Sequence, residues 1–154
     1  MACRFLRKDY DALIAKIEEL AGELREAGQE KGRWANQSAE TWHDNFGYEQ
    51  EEQHQWAVSE RLEDFVAIRN DAEIVDQGVA GEVDIGAEVT IRDTRSGERK
   101  TIVIGSYQVL DQQHDDEISY AAPLASPLMG ATVDEERELA IGDQATVYRV
   151  VSID

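Results

Sequence analysis

Residues 10–27 read YDALIAKIEELAGELREA, with large or small apolar side chains at Tyr10, Leu13, Ile17, Leu20, Leu24 and Ala27. The steps alternate between three and four residues, the repeat that lays one apolar seam along a helix packed against another helix. Lys16, Glu18, Glu19, Glu23, Arg25 and Glu26 fill the outward positions, and no proline precedes Pro123 to interrupt a helix. A second periodic stretch runs through Tyr48, Gln55, Val58, Leu62, Phe65 and Ala72. Between the two, residues 34–47 (WANQSAETWHDNFG) lose the seam and gain Asn, Ser, Asp and Gly, which cap helices and build turns. The expectation is a helical coiled-coil hairpin over residues 1–76, two antiparallel helices with a tip near residues 40–47. At ~1.5 Å per residue, about 30 residues per helix extend such an arm by roughly 45 Å.

The texture changes after Asp76. Residues 77–86 hold Gly78, Gly81 and Gly86 and read as a linker. From there on, short alternating runs replace long helical ones. Ala87–Arg92 (AEVTIR) and Arg99–Ile104 (RKTIVI) flank the turn Asp93–Gly97 as a hairpin. Ile118–Ala121 reads as a further strand, Leu124–Met129 as a helical turn introduced by Pro123, and Ala145–Ile153 as a closing strand. Residues 87–154 therefore form a small domain on an antiparallel sheet, and the fold class is α+β.

The formal charge is −18, from 33 acidic against 15 basic residues. Surface carboxylates at this density repel phosphate backbones, which argues against stand-alone binding of DNA or RNA and for a partner with a basic surface or a cation. Plain solubility accounts for the same charge. No apolar run approaches the ~18 to 20 residues of a membrane span, so no membrane partner and a soluble, cytoplasmic chain are expected. Cys3 is the one cysteine, and His43, His54 and His114 are too scattered to suggest a metal site. No Gly-rich phosphate loop, nucleophile elbow or Ser/His/Asp arrangement points to an enzyme. The run Asp115-Asp116-Glu117 reads as a solvated loop.

Three stretches carry a family resemblance. In the tip, His43-Asp44-Asn45-Phe46-Gly47-Tyr48 is followed by Glu51-Glu52-Gln53; the sheet half opens on Ile85-Gly86-Ala87-Glu88-Val89-Thr90-Ile91. The most specific stretch is Ile118-Ser119-Tyr120-Ala121-Ala122-Pro123-Leu124-Ala125-Ser126-Pro127-Leu128-Met129-Gly130. In this order and spacing the chain resembles the Gre family of transcript cleavage factors, over nearly its whole length. The resemblance implies an FKBP-like C-terminal domain that docks on bacterial RNA polymerase through Ser119, Ala122, Pro123, Leu124 and Ser126. It also implies a coiled-coil arm that enters the polymerase secondary channel and meets the extruded RNA 3′ end of a backtracked complex. The factor is then a monomeric accessory protein without a cofactor of its own, and hydrolysis belongs to the polymerase. Acids at the tip help hold a Mg²⁺ of the polymerase active site, a hard ion that prefers carboxylate and water oxygens.

Asp44 stands where the resemblance places the second tip acid. Thr41 replaces the first, with Glu40 beside it as the weaker candidate. Trp42, His43, Asn45 and Phe46 are the other candidate tip contacts. Ala122 replaces a Ser and Ser126 an Arg of the family's docking element, so docking is matched more fully than cleavage. Each reading has a plain counterpart. Asp44 is also a good helix N-cap, Trp42 and Phe46 could fold back over the hairpin end, and Pro123 to Gly130 also make a structural turn. The functional alternatives are a Gre-family paralogue that binds the channel and inhibits or modulates transcription without cleavage, and an acidic coiled-coil scaffold for a non-polymerase partner.

Overall fold

The computed structural model describes residues 2–38 and 46–154, with side chains outside residues 27–48, 51 and 141. The order of elements is β1 (Cys3–Phe5), α1 (Arg7–Ser38), α2 (Phe46–Asp71), β2 (Ala72–Ile74), β3 (Glu88–Asp93), β4 (Arg99–Gly105), β5 (Glu117–Ser119), a 3₁₀ turn (Ser126–Leu128), β6 (Glu136–Ile141) and β7 (Gln144–Ile153). The architecture is α+β, and the chain divides into two compact units: Met1–Ala12 together with Ala72–Asp154, and Leu13–Asp71. This division differs from the expected 1–76, 77–86 and 87–154, because the first residues belong with the sheet.

The sheet unit starts from alternation. Val89 and Ile91 on β3, and Ile102 and Ile104 on β4, point to one face and are wholly or almost wholly buried. On the other face the Thr90 and Thr101 hydroxyls lie 3.0 Å apart across the register pair Thr90↔Thr101. The hairpin turn closes on Asp93, whose carboxylate accepts the N–H groups of Arg95 (2.8 Å) and Ser96 (3.3 Å), and Gly97 supplies the positive φ of 77°. The five strands run in the order β5-β4-β3-β7-β6. The sheet is mixed, not antiparallel as expected: β5 pairs with β4 in parallel, through Val103↔Glu117, Ile104↔Ile118 and Gly105↔Ser119. Two strands side by side in one direction need a crossover, and residues 106–116 provide it. β6 escaped the sequence reading because Glu136, Arg137 and Glu138 open it with charge rather than alternation.

Val83, Ala125, Leu128 and Ala131, together with Leu139 of β6 and Val150 of β7, complete one apolar core with the four residues of β3 and β4. The presence of Val83 corrects the expected linker. Val83 N–H donates to Ala131 O and Gly130 N–H to Val83 O, both at 2.8 Å, while Gly86 N–H donates to Ile104 O at 2.7 Å. The glycines of this segment serve close packing as well as turning: a Cβ on Gly78 would stand 2.6 Å from Ile85 O. β1 and β2 form a separate parallel pair, with Cys3 opposite Ala72 and Phe5 opposite Ile74, and Phe5 is fully buried.

In the helical unit the seam positions of α1 are buried at Leu13, Ile17 and Leu20, and on α2 at Val58. Leu24, Leu62 and Phe65 are half-buried. No helix among the described residues is long and apolar enough to cross a membrane.

Candidate functional site

The candidate docking element is a chain of short-range bonds laid over the core. Ser119 Oγ donates to Tyr107 O (2.7 Å) and accepts from Ala121 N–H (3.1 Å), which turns the chain out of β5. Ala122 N–H then donates to Ser119 O, and Ala122 O accepts from both Ala125 N–H (3.0 Å) and Ser126 N–H (2.8 Å). Pro127 stiffens the 3₁₀ turn that follows, and Gly130, at φ 81°, reverses the chain. Ala125, Leu128 and Ala131 plug inward and are fully buried. Outward, Pro123 and Ser126 are exposed, while Ser119, Ala122 and Leu124 are half-buried. The structure thus brings the five expected docking residues into one segment but gives them different work. Ser119, Ala122 and Leu124 hold its shape, and Pro123 and Ser126 are its exposed surface.

Tyr120 ties this segment to the chain's first residues. Its hydroxyl accepts from Arg4 N–H (3.0 Å), and the Arg4 guanidinium carbon sits 5.0 Å from its ring centre. Arg4 Nη1 also donates to Asp84 Oδ1 at 2.9 Å. Asp84 additionally accepts from Val79 N–H (2.9 Å) and Ile85 N–H (2.8 Å). Burial pushes its pKa upward, but these backbone N–H bonds and Arg4 outweigh that and hold it below the usual carboxylate value.

A second brace was not legible in the sequence. Asp9, fully buried, accepts through Oδ2 from Ser106 Oγ and Lys8 Nζ, and through Oδ1 from Leu110 N–H and Asp111 N–H. Lys8 Nζ reaches on to Asp111 O (2.6 Å) and to Glu117 Oε2 (2.7 Å), and Glu117 Oε1 accepts from Gln113 N–H (3.1 Å). Burial opposes ionisation of Asp9, yet bonds from Ser106, Asp111 and Lys8 lower its pKa; burial likewise works against the Lys8 cation, and Glu117 and Asp9 raise its pKa in spite of it. Glu117 is therefore buried rather than part of a solvated acidic loop. Lys8 and Asp9 look in sequence like ordinary charges in a helix's first turn, and their partners lie about a hundred positions away.

The tip candidates Glu40, Thr41, Trp42, His43, Asp44 and Asn45 lie outside the described residues, as does the side chain of Phe46. Among the described residues, no group of three or more His, Cys, Asp or Glu side chains is placed to hold a metal ion.

Known proteins match this sequence. The family model for the C-terminal part of the transcription elongation factors GreA/GreB matches residues 78–154, which contain the whole candidate docking element. The transcription inhibitor protein Gfh1 of Thermus aquaticus is 22% identical over 151 residues, 97% of this chain and 95% of its own. The transcription elongation factor GreA of Thermotoga neapolitana is 27% identical over 151 residues, 97% of this chain and 96% of its own. A crystal structure of GreA factor homolog 1 of Thermus thermophilus, 22% identical, covers 100% of this chain and 99% of its own with a TM-score of 0.45. The model match extends over half of the chain, from the buried segment before β3 to the end of β7, and on it the chain belongs to the GreA/GreB family of transcription elongation factors.

Proposed function

We propose that this protein binds bacterial RNA polymerase at its secondary channel and acts on paused or backtracked elongation complexes. The sheet unit serves as the FKBP-like dock and the two helices as the antiparallel coiled-coil arm that reaches the extruded RNA 3′ end. The observation that carries this reading is the docking element, a segment stiffened by Ser119, Ala122 and Pro127 that leaves Pro123 and Ser126 exposed. A rigid, pre-shaped surface loses little entropy on association, which suits a docking role. The charge of −18 suits a polymerase surface with basic residues and disfavours free nucleic acid.

Asp44 is the residue proposed to act at the tip. One carboxylate supplies too few oxygens to hold an octahedral Mg²⁺ unaided, so it would complete a coordination shell owned by the polymerase. The ion supplies stabilisation of charge on the phosphodiester oxygens; Asp44 supplies an oxygen ligand and negative charge at the arm's end. Inhibition without cleavage is the second reading. It is favoured by Thr41 standing in place of the first tip acid, and by the name of the Thermus aquaticus relative.

The test is RNA cleavage in reconstituted backtracked complexes at limiting Mg²⁺, with wild-type protein and Asp44→Ala. Shortened transcripts that disappear with the substitution support the cleavage reading. Polymerase binding without cleavage selects the inhibitor. Absence of polymerase binding at any salt concentration overturns both, and leaves the scaffold for another partner.

A further inference from the structure

Trp56, on α2, is 69% exposed, the most exposed large apolar side chain among the described residues. At helical spacing the same face carries Glu49, Glu52, Gln53, Glu60 and Glu63, all exposed. Beside the indole, Leu24, Gln55 and Ser59 join Glu52 and Trp56 around a notch of about 320 Å³. Gln55 Oε1 is buried there and accepts no hydrogen bond from any described residue. Three features therefore coincide within about four turns of helix: an aromatic face in water, an acceptor unused by any described residue and a row of carboxylates.

We infer that this face docks an arginine-bearing, basic segment of a partner protein. A guanidinium can stack on the indole face, where the ring quadrupole attracts cations, and its planar fork still presents N–H donors sideways. Those donors have an acceptor in Gln55 Oε1 and acids to either side along the helix. An unmet buried acceptor signals a missing donor, and an indole face in water between carboxylates is a surface on which a cation can stack. Charge decides the class of occupant. A second copy of this chain brings another −18, and nucleic acid or an anionic membrane brings phosphates, so each would meet Glu49, Glu60 and Glu63 with like charge. Arginine is preferred to lysine because the ammonium is a more strongly hydrated point charge that loses more hydration on stacking.

The inference goes beyond the polymerase reading and is tested without polymerase. The probe is a fluorescently labelled peptide of alternating Arg and Gly, compared with its Lys counterpart, titrated with the full chain at low salt. Wild-type protein should bind the Arg peptide at least threefold more tightly than the Lys peptide. Trp56→Ala should weaken Arg-peptide binding about tenfold and abolish the Arg preference, while Trp56→Phe, which keeps an aromatic face, retains most of both. Far-UV circular dichroism of each variant confirms the helices. Equal affinity of wild type and Trp56→Ala would overturn the inference, since attraction to the carboxylates alone would then explain binding. A labelled RNA oligonucleotide bound more tightly than the peptide, or a concentration-dependent dimer lost in Trp56→Ala, would overturn it in favour of another occupant.

Discussion

Ser106 Oγ donates a 2.6 Å hydrogen bond to Asp9 Oδ2, and so fastens the first turn of α1 to the residue that follows β4. Both residues are fully buried. The Asp9 carboxylate collects two further backbone donors, Leu110 N–H and Asp111 N–H, each at 3.0 Å. It is thus the anchor of the 106–116 crossover that makes β5 run parallel to β4. Asp9→Ala should cost about 3 kcal/mol, because it strands the buried Ser106 hydroxyl and the Leu110 and Asp111 N–H groups at once and leaves Glu117 as the one acid paired with Lys8. Urea unfolding measures the loss, and faster amide exchange at residues 110 and 111 locates it. A change under 1 kcal/mol would mean that the crossover is held elsewhere.

Stability should be flat through neutral pH and fall at both ends for different reasons. Asp9 and Asp84 have folded-state pKa values below their ordinary 3.8, so their contribution is complete above that value and is lost as pH falls through the depressed folded value. Lys8 has a folded-state pKa above its ordinary 10.5, so its contribution is complete below 10.5 and is lost as pH rises through the raised folded value. The urea midpoint measured against pH should show a plateau between these limits. Asp9→Asn should lower the plateau and blunt the acid limb, leaving Asp84 and Asp93, both also held below the usual carboxylate value, as its remaining sources. A midpoint that peaked sharply near pH 7 would contradict this assignment.

How much of this was legible in the sequence depends on the range of the interaction. The α1 seam and the β3–β4 hairpin rest on local periodicity, and Leu13, Ile17, Leu20, Val89, Ile91, Ile102 and Ile104 are buried as that periodicity requires. The turn from Pro123 to Gly130 was also legible, since Pro127 and Gly130 make it within a few residues of each other. What escaped has long range. The crossover behind the parallel β4–β5 pairing is bonded to Asp9, roughly a hundred positions away. The burial of residues 83–85 depends on Ala131 and Ile104 rather than on anything in the Gly-rich stretch itself. Glycine signalled a linker because flexibility and close approach have the same sequence mark.

Gly78 separates those two meanings of glycine. Its added Cβ would stand 2.6 Å from Ile85 O and 2.8 Å from Asp84 Cβ, in a segment pinned by the Val83–Ala131 and Gly86–Ile104 bonds. Gly78→Ala should therefore destabilise by about 1–3 kcal/mol through overpacking. At Gly81 nothing lies within 4 Å of an added Cβ, and only its φ of 84° opposes a side chain. Gly81→Ala should cost about 1 kcal/mol, the left-handed penalty alone. Thermal unfolding of the two variants, read also by loss of the Val79 N–H to Asp84 bond in amide exchange, ranks them; equal costs would mean that the close approach is relieved by backbone movement.

The candidate docking element permits fold and binding to be separated, because its inward and outward residues alternate within a single turn. Leu128 is fully buried, so Leu128→Ala should lose about 2–5 kcal/mol of stability, with any loss of binding following the loss of fold. Ser126 is exposed, and its backbone N–H, not its side chain, makes the bond to Ala122 O. Ser126→Asp should leave stability within about 0.5 kcal/mol of wild type. On the proposed polymerase dock, it should weaken binding to core polymerase several-fold, because the resemblance places an Arg at this position, and an acid there meets a local surface suited to the opposite charge. Ser126→Arg, which installs the side chain the family resemblance places there, should strengthen binding over the same range of salt. Binding measured on purified core polymerase, beside an unfolding curve for each variant, distinguishes the two effects. Should both Ser126 variants bind as wild type does, this exposed face is not the dock, and the rigidity of the segment serves the core alone.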